Sequence, residues 1–216
     1  MSDRARSGLF VAEGSSDQPL ADIVELLFFE RGVEVNLSHP SFELLPKVGK
    51  DVRSRVTAGL ELAGGTVDVI VVHRDADNAG YQARLREIRA ATTPVSAGSA
   101  LVPIIPVRMT EAWLLLDEAA IRQVAGNPRG RVSLGLPRAH EVESIADPKA
   151  KLRECLVRAA DVTGKRRERV NGRFNEHRRQ LFSWLDRSGP VTRLTGWQRV
   201  VDEVDTVVKL WSRTGE

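Results

Sequence analysis

The chain has 216 residues and a mass of 23.8 kDa, 42% hydrophobic and 28% charged, a composition of ordinary globular proteins that excludes disordered and collagen-like chains. A single cysteine, Cys155, excludes a disulfide scaffold or a Cys-rich zinc site and points to a reducing cytoplasm, and no apolar run nears the roughly 20 residues that span a bilayer. Lys and Arg exceed Asp and Glu by only three, yet residues 149–187 hold twelve basic and five acidic residues, a local +7 that leaves −4 on the rest.

Residues 1–6 lead into a strand-length segment, not the apolar core of a secretory signal. Leu9-Phe10-Val11-Ala12 reads as a strand that ends at Glu13-Gly14-Ser15-Ser16-Asp17. Leu20, Ile23, Val24, Leu27 and Phe28 then recur at helical spacing, with Ser16 or Asp17 as cap, Pro19 in the first turn and Gly32 as stop. Val33 to Leu37 is a second strand, and Asp51 to Ala63 a second helix ending at Gly64-Gly65. Val67-Asp68-Val69-Ile70-Val71-Val72 has the β-branched continuity of a strand buried on both faces, and runs into His73-Arg74-Asp75-Ala76-Asp77. A helix over Tyr81–Ala91 and a Ser/Gly/Pro loop follow. Leu101 to Val107 is a strand that Pro103 and Pro106 confine to an edge or an irregular place. Thr110 caps a fourth helix, Glu111 to Val124.

This alternation predicts an α/β core, a Rossmann-like parallel sheet with helices on both faces, over residues 7–126. Residues 127–216 read as a basic, mostly helical C-terminal segment packed on it. Its helices are predicted from Asp147-Pro148-Lys149 to Asp161, over Lys165–Leu185, and from Gly196 onward. In the last, Trp197, Val200, Val201, Val204, Val207, Val208 and Trp211 form a stripe that reads as core packing first and as a homodimer face second. His73, which ends a buried strand, reads first as a packing residue and second, beside the aspartates, as a ligand or proton-transfer group; Cys155, inside a helix, reads as packing.

Loops at the carboxyl ends of parallel strands converge. Glu13 follows the first strand, Asp75 and Asp77 the third and Glu111 the fourth, so an order of the 2-1-3-4 type would bring Glu13 against Asp75 and Asp77. Singly, each acid also reads as a turn or cap residue. Jointly they would repel one another unless a cation neutralised them, and oxygen donors without Cys favour Mg²⁺ or Mn²⁺ over zinc. Arg74 is placed to contact phosphate. Lys165, Arg166, Arg167, Arg169, Arg173, Arg178 and Arg179 read as a nucleic-acid-binding face, or as a merely solvated one.

Glu13-Gly14-Ser15-Ser16-Asp17 after a first strand, with Asp75-Ala76-Asp77 after a β-branched one, resembles the Toprim domain of topoisomerases, primases and OLD-family nucleases. Glu111-Ala112-Trp113-Leu114-Leu115-Leu116-Asp117 and Asp147-Pro148-Lys149 resemble small bacterial Toprim-like proteins related to the OLD nucleases, a group connected with defence against phage. The resemblance spans residues 7–155. It implies that Glu13, Asp75 and Asp77 hold metal, that Asp17 is a further metal acid and that Glu111 serves a second ion. It also implies that Glu13 is the general base and that Lys149 steadies a phosphate. No Walker A sequence accompanies these motifs, so nucleotide gating would come from a separate ATPase or other subunit, or be absent. The expected activity is metal-dependent hydrolysis of phosphodiester bonds in DNA or RNA, with Glu13, Asp75, Asp77 and Lys149 catalytic. The alternative is a non-catalytic Toprim-like module that binds nucleic acid or a partner within a larger system.

Overall fold

The computed structural model describes residues 5–45, 47–96 and 98–214, so residues 1–4 of the N-terminal segment read above lie outside the described residues. The fold is α/β, a parallel sheet with helices followed by a helical C-terminal segment. The chain divides into two compact units, Met1–Ile105 with Arg199–Glu216, and Pro106–Gln198. The predicted division fell after residue 126. It falls earlier because the fourth strand is the last described one, so the helices after it are not crossovers to a fifth.

In the first unit, strands β1 (Arg6–Val11), β2 (Val35–Ser38), β3 (Val69–His73) and β4 (Ala100–Ile104) form one parallel sheet in the order β2-β1-β3-β4. Pro103 therefore sits on an edge strand, where its missing N–H costs no ladder bond. Helix α1 (Pro19–Phe29) connects β1 to β2, and α2 (Val52–Leu62) and α3 (Tyr81–Thr92) serve the connections to β3 and β4. Chain direction across the sheet reverses after β2, so right-handed crossovers put α1 on one face and α2 with α3 on the other. On the latter face Leu9, Val11, Ile70 and Val72 pack with Val56, Leu60, Leu85 and Ile88. Every residue of β3 is buried, as its unbroken β-branched run demands. Helix α2 approaches β1 closely because residue 59 is glycine: a Cβ there would lie 2.7 Å from both methyls of Leu9.

Helix α1 is capped differently from expectation. Ser15–Asp17 forms a short 3-10 turn, and Gln18 takes the cap position without a side-chain bond. Asp51, in contrast, caps α2 by accepting from the Ser54 N–H at 2.9 Å.

The second unit contains α4 (Glu111–Leu114), α5 (Glu118–Val124), α6 (Pro148–Ala160), α7 (Gly164–Gly172) and α8 (Phe174–Ser183), and α9 (Thr195–Thr214) begins there. Two predicted helices are thus each split in two. Asp117 stops the first by capping α5 through the Ala120 N–H, and the Gly172-Arg173 step interrupts the second. The last stripe is core in both units: Trp197 meets Trp113 edge to face at 5.3 Å, and in the first unit Trp211 stacks on Phe28 at 5.4 Å. Such aromatic pairs contribute about 0.5–1.5 kcal/mol beyond their buried area. Among the described residues no helix is long and apolar enough to cross a membrane.

Candidate active site at the carboxyl edge of the sheet

Val11 of β1 lies opposite Val72 of β3, so the two strands deliver their following residues side by side. Glu13 and Arg74 each stand two positions beyond that pair, and their side chains form an ion pair. Arg74 also reaches Glu87 of α3 at 3.3 Å, and Arg84 bonds the other Glu87 oxygen at 2.8 Å. The Arg84 Nε donates to the Asp75 carbonyl at 3.0 Å, and its Nη2 lies 4.0 Å from Asp77. The bond to Glu87 raises the Arg84 pKa above its ordinary value, against the lowering effect of burial, with the Glu87, Asp77 and Glu13 charges adding to the rise. Asp77 takes a left-handed conformation at φ 46°, a region that aspartate tolerates better than most residues.

The second centre is His73, the buried last residue of β3. Its Nδ1 lies 3.1 Å from the carbonyl oxygen of Ile104. A carbonyl only accepts, so Nδ1 carries the proton, and Nε2 is fixed toward the acids. Nε2 stands 3.5 Å from Asp75 Oδ1 and 3.9 Å from Asp17 Oδ1. Asp17, itself buried, was expected as a possible helix cap; the 3-10 turn instead turns it toward His73. His73 is therefore more than the packing residue that its strand position indicated.

The sheet order brings Glu13 beside Arg74, and Asp17 and Asp75 to His73, all at the ends of two neighbouring strands. It does not assemble a ready ligand cage: among the described residues no group of three or more His, Cys, Asp or Glu is arranged to hold a metal ion. The repulsion that called for a cation is answered by Arg74 and Arg84, which interleave with the carboxylates. Arg74, expected to face phosphate, is occupied by Glu13 and Glu87. Asp17 and Asp75 nevertheless bring two hard carboxylate oxygens to within 3.9 Å of the softer His73 imidazole. An imidazole whose other nitrogen is anchored to a backbone carbonyl is a common orientation for a metal ligand, so these donors fit a divalent cation in kind.

The remaining predicted site residues lie in the second unit. Glu111 is buried and pairs with Arg178 Nε at 2.9 Å, while Arg178 Nη2 donates to the Thr110 hydroxyl at 2.7 Å. This corrects three expectations. Arg178 is not on an exposed nucleic-acid face, Glu111 has an arginine where a metal was expected, and Thr110 caps no helix through its side chain. Lys149 is exposed in the first turn of α6. Lys165, Arg166, Arg167 and Arg169 are exposed on α7, as are Arg179 and Arg173 beyond it; Arg173 bonds Glu176 at 2.7 Å.

Sequence reasoning missed Arg84, Glu87 and Arg55. The last had a visible signal: Val52, Arg55, Val56, Gly59 and Leu60 share one helical face, which puts a lone cation in an apolar stripe. Compared with protein-family models, curated proteins and solved structures, the chain matches none.

Proposed function

We propose that the protein is a metal-dependent hydrolase of phosphodiester bonds in DNA or RNA, a cytoplasmic Toprim-like nuclease of the OLD-related kind with a place in defence against phage. The observation that carries this reading is the convergence of Asp17 and Asp75 on His73 Nε2, beside Glu13, at the carboxyl ends of adjacent parallel strands. Ligands of open α/β sheets bind at this kind of edge. Asp17, Asp75 and His73 would hold Mg²⁺ or Mn²⁺, and Glu13 and Asp77 would join them on release from Arg74 and Arg84.

When bound, such an ion makes a water acidic and stabilises charge on a leaving oxygen. The chain's own residues do the rest. Glu13, half exposed, accepts the proton of the attacking water. Arg74, once exchanged from Glu13 to the substrate, presents a planar fork to a phosphate. In the second unit, Lys149 and the exposed bases of α7 would offer sequence-independent phosphate contacts of their own.

Purified protein with Mg²⁺ or Mn²⁺ is expected to cut single- or double-stranded DNA or RNA, and Asp75→Ala to abolish cutting with circular dichroism unchanged. Equal cleavage by that variant would overturn the reading. One observation favours a second reading, a non-catalytic module binding nucleic acid or a partner: the Arg74 and Arg84 pairs already neutralise Glu13 and Asp77. Calorimetric metal binding without turnover on any of these substrates would support it.

A further inference from the structure

The structure describes three buried arginines, and two have a carboxylate. Arg178 pairs with Glu111, and Arg122 pairs with Glu118 through Nε at 2.9 Å and Nη2 at 2.5 Å. The third, Arg55 on α2, is 92% buried, and none of the described acidic side chains pairs with it. Its Nη1 donates to the Ala12 carbonyl, its guanidinium lies over the Phe42 ring at 5.7 Å, and its Nε has no hydrogen-bond partner among the described residues. A buried cation without a counter-charge is costly, and proteins retain one where an anion completes it.

Arg55 lines a cavity of about 260 Å³ at the carboxyl ends of β1 and β2, with Glu13, Gln18, His39, Ser41 and Phe42 among its walls. That is just below the roughly 300–1,000 Å³ usual for small-ligand sites, and too small for a duplex. Glu13 does not supply the missing charge, because Arg74 already answers it. Lys50, Arg55 and Arg74 border a crevice beside Glu13 that His73, the residue Asp17 and Asp75 approach, also lines, so three cations stand there among the acids. Gln18 precedes the first turn of the eleven-residue α1, whose end adds partial positive charge.

We infer that this cavity is a phosphate site, in which the Arg55 guanidinium takes one phosphate group of a nucleotide. Nη1 is held by the Ala12 carbonyl and Nε is closed off from solvent, so the donor that meets a phosphate oxygen is the Nη2 end of this planar cation. The assignment of the phosphate to a strand positioned beside Glu13 rests on the hydrolase reading; the site itself does not.

The test is thermal unfolding of the full chain, without metal, in chloride buffer and with added inorganic phosphate, a nucleoside 5′-monophosphate, or a short oligonucleotide with or without a 5′-phosphate. At about 100-fold over its dissociation constant, phosphate is expected to raise the wild-type midpoint by roughly 5–10 °C. Arg55→Met is expected to show no phosphate-induced shift; the comparison is made within each protein, so a general loss of stability in the variant cancels. Should Arg55→Met not fold, His39→Ala, altering an exposed wall residue, is expected to reduce the shift. Stabilisation by the mononucleotide assigns a free nucleotide, and stabilisation by the oligonucleotides alone assigns a strand. No phosphate-induced shift in wild type, or an equal shift in Arg55→Met, overturns the proposal. Because no metal is added, loss of the nuclease reading leaves this result standing, and the converse also holds.

Discussion

Arginine placement decides the character of both units at the scale of single residues. Arg178 and Glu111 bury opposite charges against each other, and a buried pair is far more sensitive to loss of one member than of both. Glu111→Ala is therefore expected to lower unfolding stability by about 3–5 kcal/mol in chemical denaturation. Glu111→Leu combined with Arg178→Met is expected to cost much less than the single change, and a double variant as unstable as Glu111→Ala would refute the pairing account. Arg178 could be suspected from sequence because Phe174, His177, Arg178, Leu181 and Phe182 fall on one helical face. Its partner could not, since Glu111 lies 67 positions away and only packing chooses between it and other acids. The same limit hid Arg84 and the acidic partners of Arg74. The sequence indicates that acids gather at a strand edge and need neutralising, while the identity of the neutralising groups, Arg74 just after β3 and Arg84 on α3, depends on packing.

Elements were most legible where a side chain acts on its own backbone. Asp51, Asp117 and Asp147 each accept from an N–H three residues on, at 2.8–2.9 Å, and each marks a helix start. Asp51 also bonds the Ser54 hydroxyl, and that bond with the Ser54 N–H holds its carboxyl below the ordinary 3.8. A lowered folded-state pKa gives stability that is present above 3.8 and disappears as pH falls through the folded value. Asp51→Ala is thus expected to cost about 1 kcal/mol at neutral pH, with the gap to wild type closing in acid, read from urea midpoints across pH. A gap that persists in acid would show that the cap acts through packing instead. Caps that tertiary contacts recruited were not legible: Asp17 turns to His73 and Thr110 to Arg178, so α1 and α4 start without side-chain caps.

Taken as a whole, the molecule separates its charge along the chain, and the exposed bases of α7 are where that separation meets solvent. Each phosphate neutralised contributes about 0.9 to the slope of log K against log salt on duplex DNA. Replacing Arg166, Arg167 and Arg169 together with glutamine is expected to flatten that slope by roughly 2–3 in fluorescence-anisotropy titrations, with the midpoint of unfolding unchanged. An unaltered slope would mean that this face is only solvated. The sequence by itself determined the strand and helix alternation, the restriction of β4 to an edge or an irregular place, and which loops carry acids, because hydrophobic period, proline and turn chemistry act locally. Tertiary structure alone decided that β1 and β3 are neighbours, that Asp17 and Asp75 meet at His73, and that Arg55 is left without a carboxylate. These depend on strand order and on contacts between residues far apart in sequence, where many partners are chemically equivalent until the chain is folded.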